Sequence, residues 1–164
     1  MYMKHGKIKF GYKDSYDCTY VLSPIIRDCI KNFRDVLIKR EEEGKFTGVP
    51  TLVLEDLFGE EYVTHKYESD EGLSPSDLQQ GFEHWLTILD QIIYAFDPEN
   101  EPDYQGGWTE NEDHLTETEN GYTRWNLSPD ESKWKEYTEA REGWMDQVEH
   151  GRKLFSKFYQ CLWW

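Results

Sequence analysis

The rhythm of apolar and polar positions changes along this chain, and the changes divide it into elements. Near the start, Ile8, Phe10 and Tyr12 alternate with Lys7, Lys9 and Gly11. That is the period of a half-buried strand with its lysines outward, so a small β element is expected over 6–12. Further on the rhythm becomes helical. Ile26, Cys29, Ile30, Phe33, Val36 and Leu37 form a stripe that predicts a helix over 24–43, stopping at Gly44. A second helix is predicted over 75–96, through Leu78, Phe82, Trp85, Leu86, Leu89, Ile92, Ile93 and Phe96, with Pro98 ending it. Its apolar positions cover more than one stripe, which makes it the centre of the core. A third runs from 129 toward 161, with Trp134, Tyr137, Trp144, Val148, Phe155, Phe158 and Leu162 inward. Gly143 and Gly151 are the places where it could bend or break.

All three helices are introduced by Ser-Pro, at Ser23-Pro24, Ser74-Pro75 and Ser128-Pro129. A serine hydroxyl accepts from an orphan amide at a helix start, and proline suits the first turn, where its missing N–H costs nothing. Glu131 completes a capping box after Ser128, and Asp77 occupies the same place after Ser74. The apolar run VPTLVLEDLF at 49–58 is short, and its pattern leaves open a strand or an irregular segment beneath the helices. The stretch from 97 to 127 reads as a long acidic loop. Tyr104, Trp108, Leu115, Tyr122 and Trp125 are spaced through it, so part of it should pack or bind, because disordered tails are poor in aromatics. The fold class expected is mainly α, a three-helix core with a small β element near the N-terminus. It forms a single domain over 1–164 with an insertion at 97–127.

Composition sharpens this picture. The chain has 164 residues, one domain by length, and its aromatic content of 16% compensates for a modest aliphatic one. No stretch approaches the roughly 18 consecutive apolar residues of a membrane span. The opening MYMKHGKIKFGY has no apolar run behind its lysines, so it does not read as a signal peptide. Three cysteines without CxxC spacing, Cys18, Cys29 and Cys161, suggest a reducing compartment rather than a disulfide framework. The net charge of −15 is unevenly spread: residues 1–40 hold nine Lys/Arg against four Asp/Glu, 41–130 hold three against 23, and 131–164 hold six of each. An acidic middle between a basic start and a neutral end implies two electrostatic faces.

Catalytic and metal motifs do not emerge. The histidines 5, 65, 84, 114 and 150 form no HxxxH or HExxH pair, and Glu83-His84 with Asp90 two turns on reads as a helix surface more readily than a ligand set. There is no GxSxG and no phosphate-binding glycine loop. No metal or cofactor is expected, and the chain is read as a non-enzyme. Arg27, Lys31 and Arg34 form a basic stripe at i, i+4 and i+7. Joined by Lys7, Lys9, Arg152, Lys153 and Lys157, it could grip the phosphates of an anionic ligand while Tyr94 or Trp108 stacks a base. The plainer alternative is a solvated helix face pairing with Asp28 and Asp35.

Three stretches carry a resemblance. Asp17-Cys18 with Tyr20, Ile25 and Ile26, the central WLTILDQIIYAF of 85–96, and the final GRKLFSKFYQCLW of 151–163 together look like a family of uncharacterised small proteins from tailed bacteriophages. They cover a little under half the chain. The resemblance implies a phage-encoded protein working in the host bacterial cytoplasm, and it carries over no catalytic residue. This chain departs from the family in ending on Trp163-Trp164 and in its 97–127 insertion. The expected function is a non-enzymatic binding protein acting against host defence, sequestering a small anionic nucleotide signal through Arg27, Lys31, Arg34, Tyr94, Trp108, Arg152 and Lys153. The alternatives are an acidic, DNA-mimicking inhibitor of a host protein and an enzyme of unrecognised type. Neither direct nucleic-acid binding nor membrane binding is expected. Trp163-Trp164 suggests a docked terminus or a homo-oligomer contact.

Overall fold

The computed structural model describes residues 2–4, 7–9, 18–45, 48–69, 72–110, 116–117, 123–124 and 127–162, with side chains from 20 onward outside 108–128. The protein is mainly helical. Its chain forms two compact units, Met1–Glu99 with Gln147–Trp164, and Asn100–Asp146. The second unit therefore holds more than the predicted insertion.

In the first unit, strands β1 (Tyr2–Lys4) and β2 (Lys7–Lys9) pair antiparallel, Met3 opposite Ile8. Residues 10–12 of the expected strand lie outside the described residues. Helix α1 covers Cys18–Glu42, so Pro24 lies inside it and Ser23 is buried rather than capping. The Ser-Pro signal here marks a helix interior, where proline costs about 3 kcal/mol. Ile30 and Leu37 are buried and Ile26 and Phe33 partly so, but Val36 is 53% exposed and Cys29 is exposed. The true stripe is narrower than the predicted one.

The run at 49–58 is a helix, α2 (Thr51–Phe58), which places Val53 and Leu54 fully inside. Short apolar runs do not reveal their period, so neither the strand nor the irregular reading anticipates it. Gly59, at φ 89°, ends α2 and opens α3 (Glu60–Glu68), which buries Val63. The Gly59 N–H donates to the Glu55 carbonyl at 2.9 Å, and its own carbonyl accepts from Val63 N–H at 3.2 Å. The core thus draws on two helices absent from the three-helix expectation.

Helix α4 (Pro75–Ala95) begins where the sequence places it. Ser74 Oγ accepts from Asp77 N–H at 3.1 Å, and Asp77 Oδ2 accepts from Ser74 N–H at 3.0 Å, a complete capping box. The Ser74 backbone bond and then its hydroxyl hold the Asp77 carboxyl below the usual carboxylate range. Phe82, Trp85, Ile88, Leu89 and Ile92 are buried, while Leu78 is exposed. The Trp85 ring meets Phe33 edge-on at 6.3 Å and Phe158 at 5.8 Å. A fully buried side chain of this kind contributes about 1.5–3 kcal/mol.

Helix α5 (Glu131–Phe158) contributes Gln147 onward to this unit. Neither Gly143 nor Gly151 breaks it. Gly151 is buried, and a Cβ there would collide with the Gln91 carbonyl oxygen and the Ala95 methyl group. The missing side chain lets α5 lie directly on α4. Phe155 then stacks edge-on against Phe96 at 5.1 Å.

In the second unit, two short antiparallel ladders lie where a loop is expected. Strand β3 (Trp108–Glu110) pairs with β6 (Leu127–Pro129), and β4 (Thr116–Glu117) pairs with β5 (Thr123–Arg124). Ser128 is paired with Thr109 in this ladder and so does not cap α5. Asp130 does so instead: its Oδ1 accepts from the N–H groups of Ser132 at 3.0 Å and Lys133 at 3.1 Å. A carboxylate caps as well as a hydroxyl and adds a favourable charge at the helix start. Leu115, Tyr122 and Trp125 lie outside the described residues.

Candidate functional site

The basic stripe of α1 does line a cleft. Arg27, Lys31 and Arg34 face α4 and the start of the following turn across a concavity of about 370 Å³, with Ile93 as its apolar wall. Five carboxylates line it too: Asp28, Asp35, Asp90, Asp97 and Glu99. Three cations against five acids give the cleft a formal charge of −2.

Pairing accounts for most of the positive charge. Arg27 donates from Nη1 to Asp97 Oδ1 and from Nε to Asp28 Oδ1, both at 2.9 Å. Those hydrogen bonds, Asp28 first and Asp97 second, raise the guanidinium pKa above its ordinary value. Asp97 Oδ1 also accepts from Glu99 N–H at 3.2 Å, which anchors the 3-10 turn Pro98–Asn100. Arg34 donates from Nη2 to Asp90 Oδ2 at 3.1 Å, and its buried Nε lies 2.6 Å from Asp90 Oδ1 without in-line geometry. Lys31 is exposed and has no carboxylate partner among the described residues.

Arg152, Lys153 and Tyr94, also expected at this site, do not line it. Arg152 and Lys153 follow Gly151, which faces α4, and each step along a helix turns the side chain by about 100°. Both are exposed, and Lys153 is held by Glu149 one turn back at 2.6 Å. Tyr94 is half-buried on α4 and does not line the cleft. The side chains of Trp108, Lys7 and Lys9, together with Trp163 and Trp164, lie outside the described residues.

A second polar cluster escapes the sequence pattern altogether. Asp56 on α2 accepts from His84 Nε2 on α4 at 2.9 Å and from Lys157 Nζ on α5. Burial pushes the Asp56 carboxyl up, but the hydrogen bonds from Lys157 and His84 outweigh it and hold the group below its ordinary value. The three residues are 28 and 101 positions apart pairwise from Asp56, so no local spacing announces them. His84 and Asp90, paired in the sequence as a weak metal candidate, turn to different partners. Among the described residues no group of three His, Cys, Asp or Glu could hold a metal ion. Burial also raises the Cys161 thiol above its usual pKa, the wrong direction for a nucleophile.

The second unit presents a different surface. Residues 100–146 hold 13 Asp/Glu and four Lys/Arg, a balance of −9. Three of those cations are already paired: Lys133 with Glu136 at 3.0 Å, Lys135 with Glu139 at 3.8 Å and Arg141 with Glu101 at 3.9 Å. Beside them Tyr104, Trp134 and Tyr137 form an aromatic cluster with ring centroids 5.4–5.8 Å apart. No helix among the described residues is long and apolar enough to cross a membrane. Compared with protein families, curated proteins and solved structures, the chain matches none.

Proposed function

We propose that the protein is a non-catalytic binding protein that occupies a basic surface on another macromolecule through its acidic second unit. The observation that carries this reading is the charge ledger of residues 100–146, where carboxylates exceed cations by nine and three of the four cations are paired within the unit. A dense anionic field steers a basic partner and resists nucleic acid. The resemblance of residues 85–96 and 151–163 to small phage proteins supports a bacteriophage protein acting on a host defence factor in the host cytoplasm, in the manner of a DNA mimic.

The test is a pull-down from host extract with wild-type protein and with Glu110→Gln/Glu112→Gln/Asp113→Asn. The expected result is capture of nucleic-acid-binding proteins that duplex DNA and raised salt release, and loss of that capture in the triple variant. Equal capture by the variant, indifferent to salt, would end the reading.

A second reading has one observation in its favour. Lys31 lines the α1–α4 cleft without a carboxylate partner among the described residues. A small anionic ligand, such as a cyclic or NAD-derived nucleotide, would bind there only by taking Arg27 and Arg34 from Asp97 and Asp90. Calorimetry against such nucleotides, with Lys31→Ala as the control, decides it: heat in the wild type alone supports it, and silence removes it.

A further inference from the structure

The aromatic cluster of the second unit is built as well as exposed. The Tyr104 hydroxyl donates to the Gly107 carbonyl and accepts from Asp130 N–H, both at 3.1 Å. The phenol thus ties the segment before β3 to the start of α5, and its ring meets Trp134 edge-on at 5.5 Å and 71°. Tyr137 closes the set at 5.4 Å from Trp134. Despite these neighbours Trp134 is 40% exposed. Exposed carboxylates stand beside it, since Asp130 and Glu131 precede it by one turn of α5. Asp130 spends Oδ1 on the helix cap and has no partner for Oδ2 among the described residues.

We infer that Trp134 is the anchor for an arginine side chain of the basic partner. The inference rests on the reading of the second unit as an acidic docking surface and names the contact that gives it selectivity. A guanidinium is planar and weakly hydrated, so it can lie on an indole while its N–H fork reaches carboxylates beside the ring. A lysine ammonium gains the field but not the stacking geometry. An apolar partner would strip water from Asp130 and Glu131 and return no hydrogen bonds. A second copy of this chain would bring another nine net negative charges against the first.

The experiment uses the full chain and two labelled peptides of equal length and charge, octa-arginine and octa-lysine, at about 0.15 M salt. The expected result is binding of both, with octa-arginine tighter by about five- to tenfold. In Trp134→Ala the octa-lysine affinity stays and the preference falls to about one. Because that variant could loosen the cluster, wild-type protein is also followed by NMR. The indole N–H resonance missing from the Trp134→Phe spectrum identifies Trp134, and octa-arginine is expected to shift it.

Equal binding of the two peptides, a preference that survives Trp134→Ala, or an unmoved Trp134 resonance at saturation overturns the anchor and leaves the acidic docking reading standing. Binding of neither peptide overturns both. Self-association of the wild type that Trp134→Ala abolishes, read as solution mass, would assign the patch to a second copy and likewise overturn the inference.

Discussion

The two halves of α5 follow one sequence rule and reach different ends. Positions 134, 137, 141 and 144 and positions 148, 151, 155 and 158 share the three-four spacing of a single helical stripe. In the later half Val148 and Phe158 are buried, Phe155 meets Phe96, and Gly151 leaves no room for a side chain against α4. In the earlier half the stripe contains Arg141, Trp134 stays 40% exposed, and Tyr104 from a distant segment is one of the aromatics against it. Spacing therefore tells which side of a helix is apolar. It does not tell how much protein will cover that side. Coverage comes from distant segments, and a surface left half-covered amid excess carboxylates is available for recognition.

The largest expected effect tests this contrast directly. Phe158→Ala empties the space beside Trp85 and should cost about 3–5 kcal/mol in urea unfolding. Trp134→Ala, a larger truncation at an exposed site, should cost about 1 kcal/mol or less. Similar losses from the two would erase the distinction between the halves. Next come the two glycines. Gly151→Ala forces a methyl group onto the Gln91 carbonyl and should lose about 1–3 kcal/mol. Gly143→Ala meets no atom within 4 Å and should gain about 0.5–1 kcal/mol by helix propensity, raising Tm.

The smallest effect sharpens how the buried half is tied together. Asp56→Asn weakens the links from α2 to α4 and α5 and should cost about 1 kcal/mol at pH 7. The Asp56 carboxyl titrates lower in the folded protein than in the unfolded chain, near 3.9. Its stabilisation is therefore complete above that unfolded value and is lost as pH falls through the folded one. The gap between wild type and Asp56→Asn, followed by denaturation at each pH, should narrow as pH falls below about 5 and close as it passes the folded value. A gap independent of pH would mean the carboxylate charge does not matter.

Much of the helical framework is legible in the chain, because its signals are local. The Ser74–Asp77 box and the α4 stripe are recovered from neighbouring residues alone. The same Ser-Pro signal misleads at Ser23 and Ser128, where burial inside α1 and ladder pairing with Thr109 take precedence. The α1 basic stripe is equally readable, and it does reach one cleft. Its local partners are readable too, since Asp28 meets Arg27 at 2.9 Å and Asp35 lies 3.9 Å from Arg34. The distant ones are not. Asp90 lies 56 residues from Arg34, and Asp97 lies 70 from Arg27. Helix packing explains why Arg152 and Lys153 do not join that site: Gly151 takes the side of α5 that meets α4, and the two basic residues after it stay exposed.

At Gly59 a single residue separates two helices that both feed the interior. At φ 89° it occupies backbone space that an L side chain enters only under strain. Replace it with alanine and the cheapest relief is local: residue 59 relaxes to helical angles and residues 51–68 run on as a single straight rod. Val63 would then be carried off the interior it now fills. A swap of one hydrogen for one methyl group would be reported by slower-exchanging amides at the former elbow and faster-exchanging ones at the centre of the molecule.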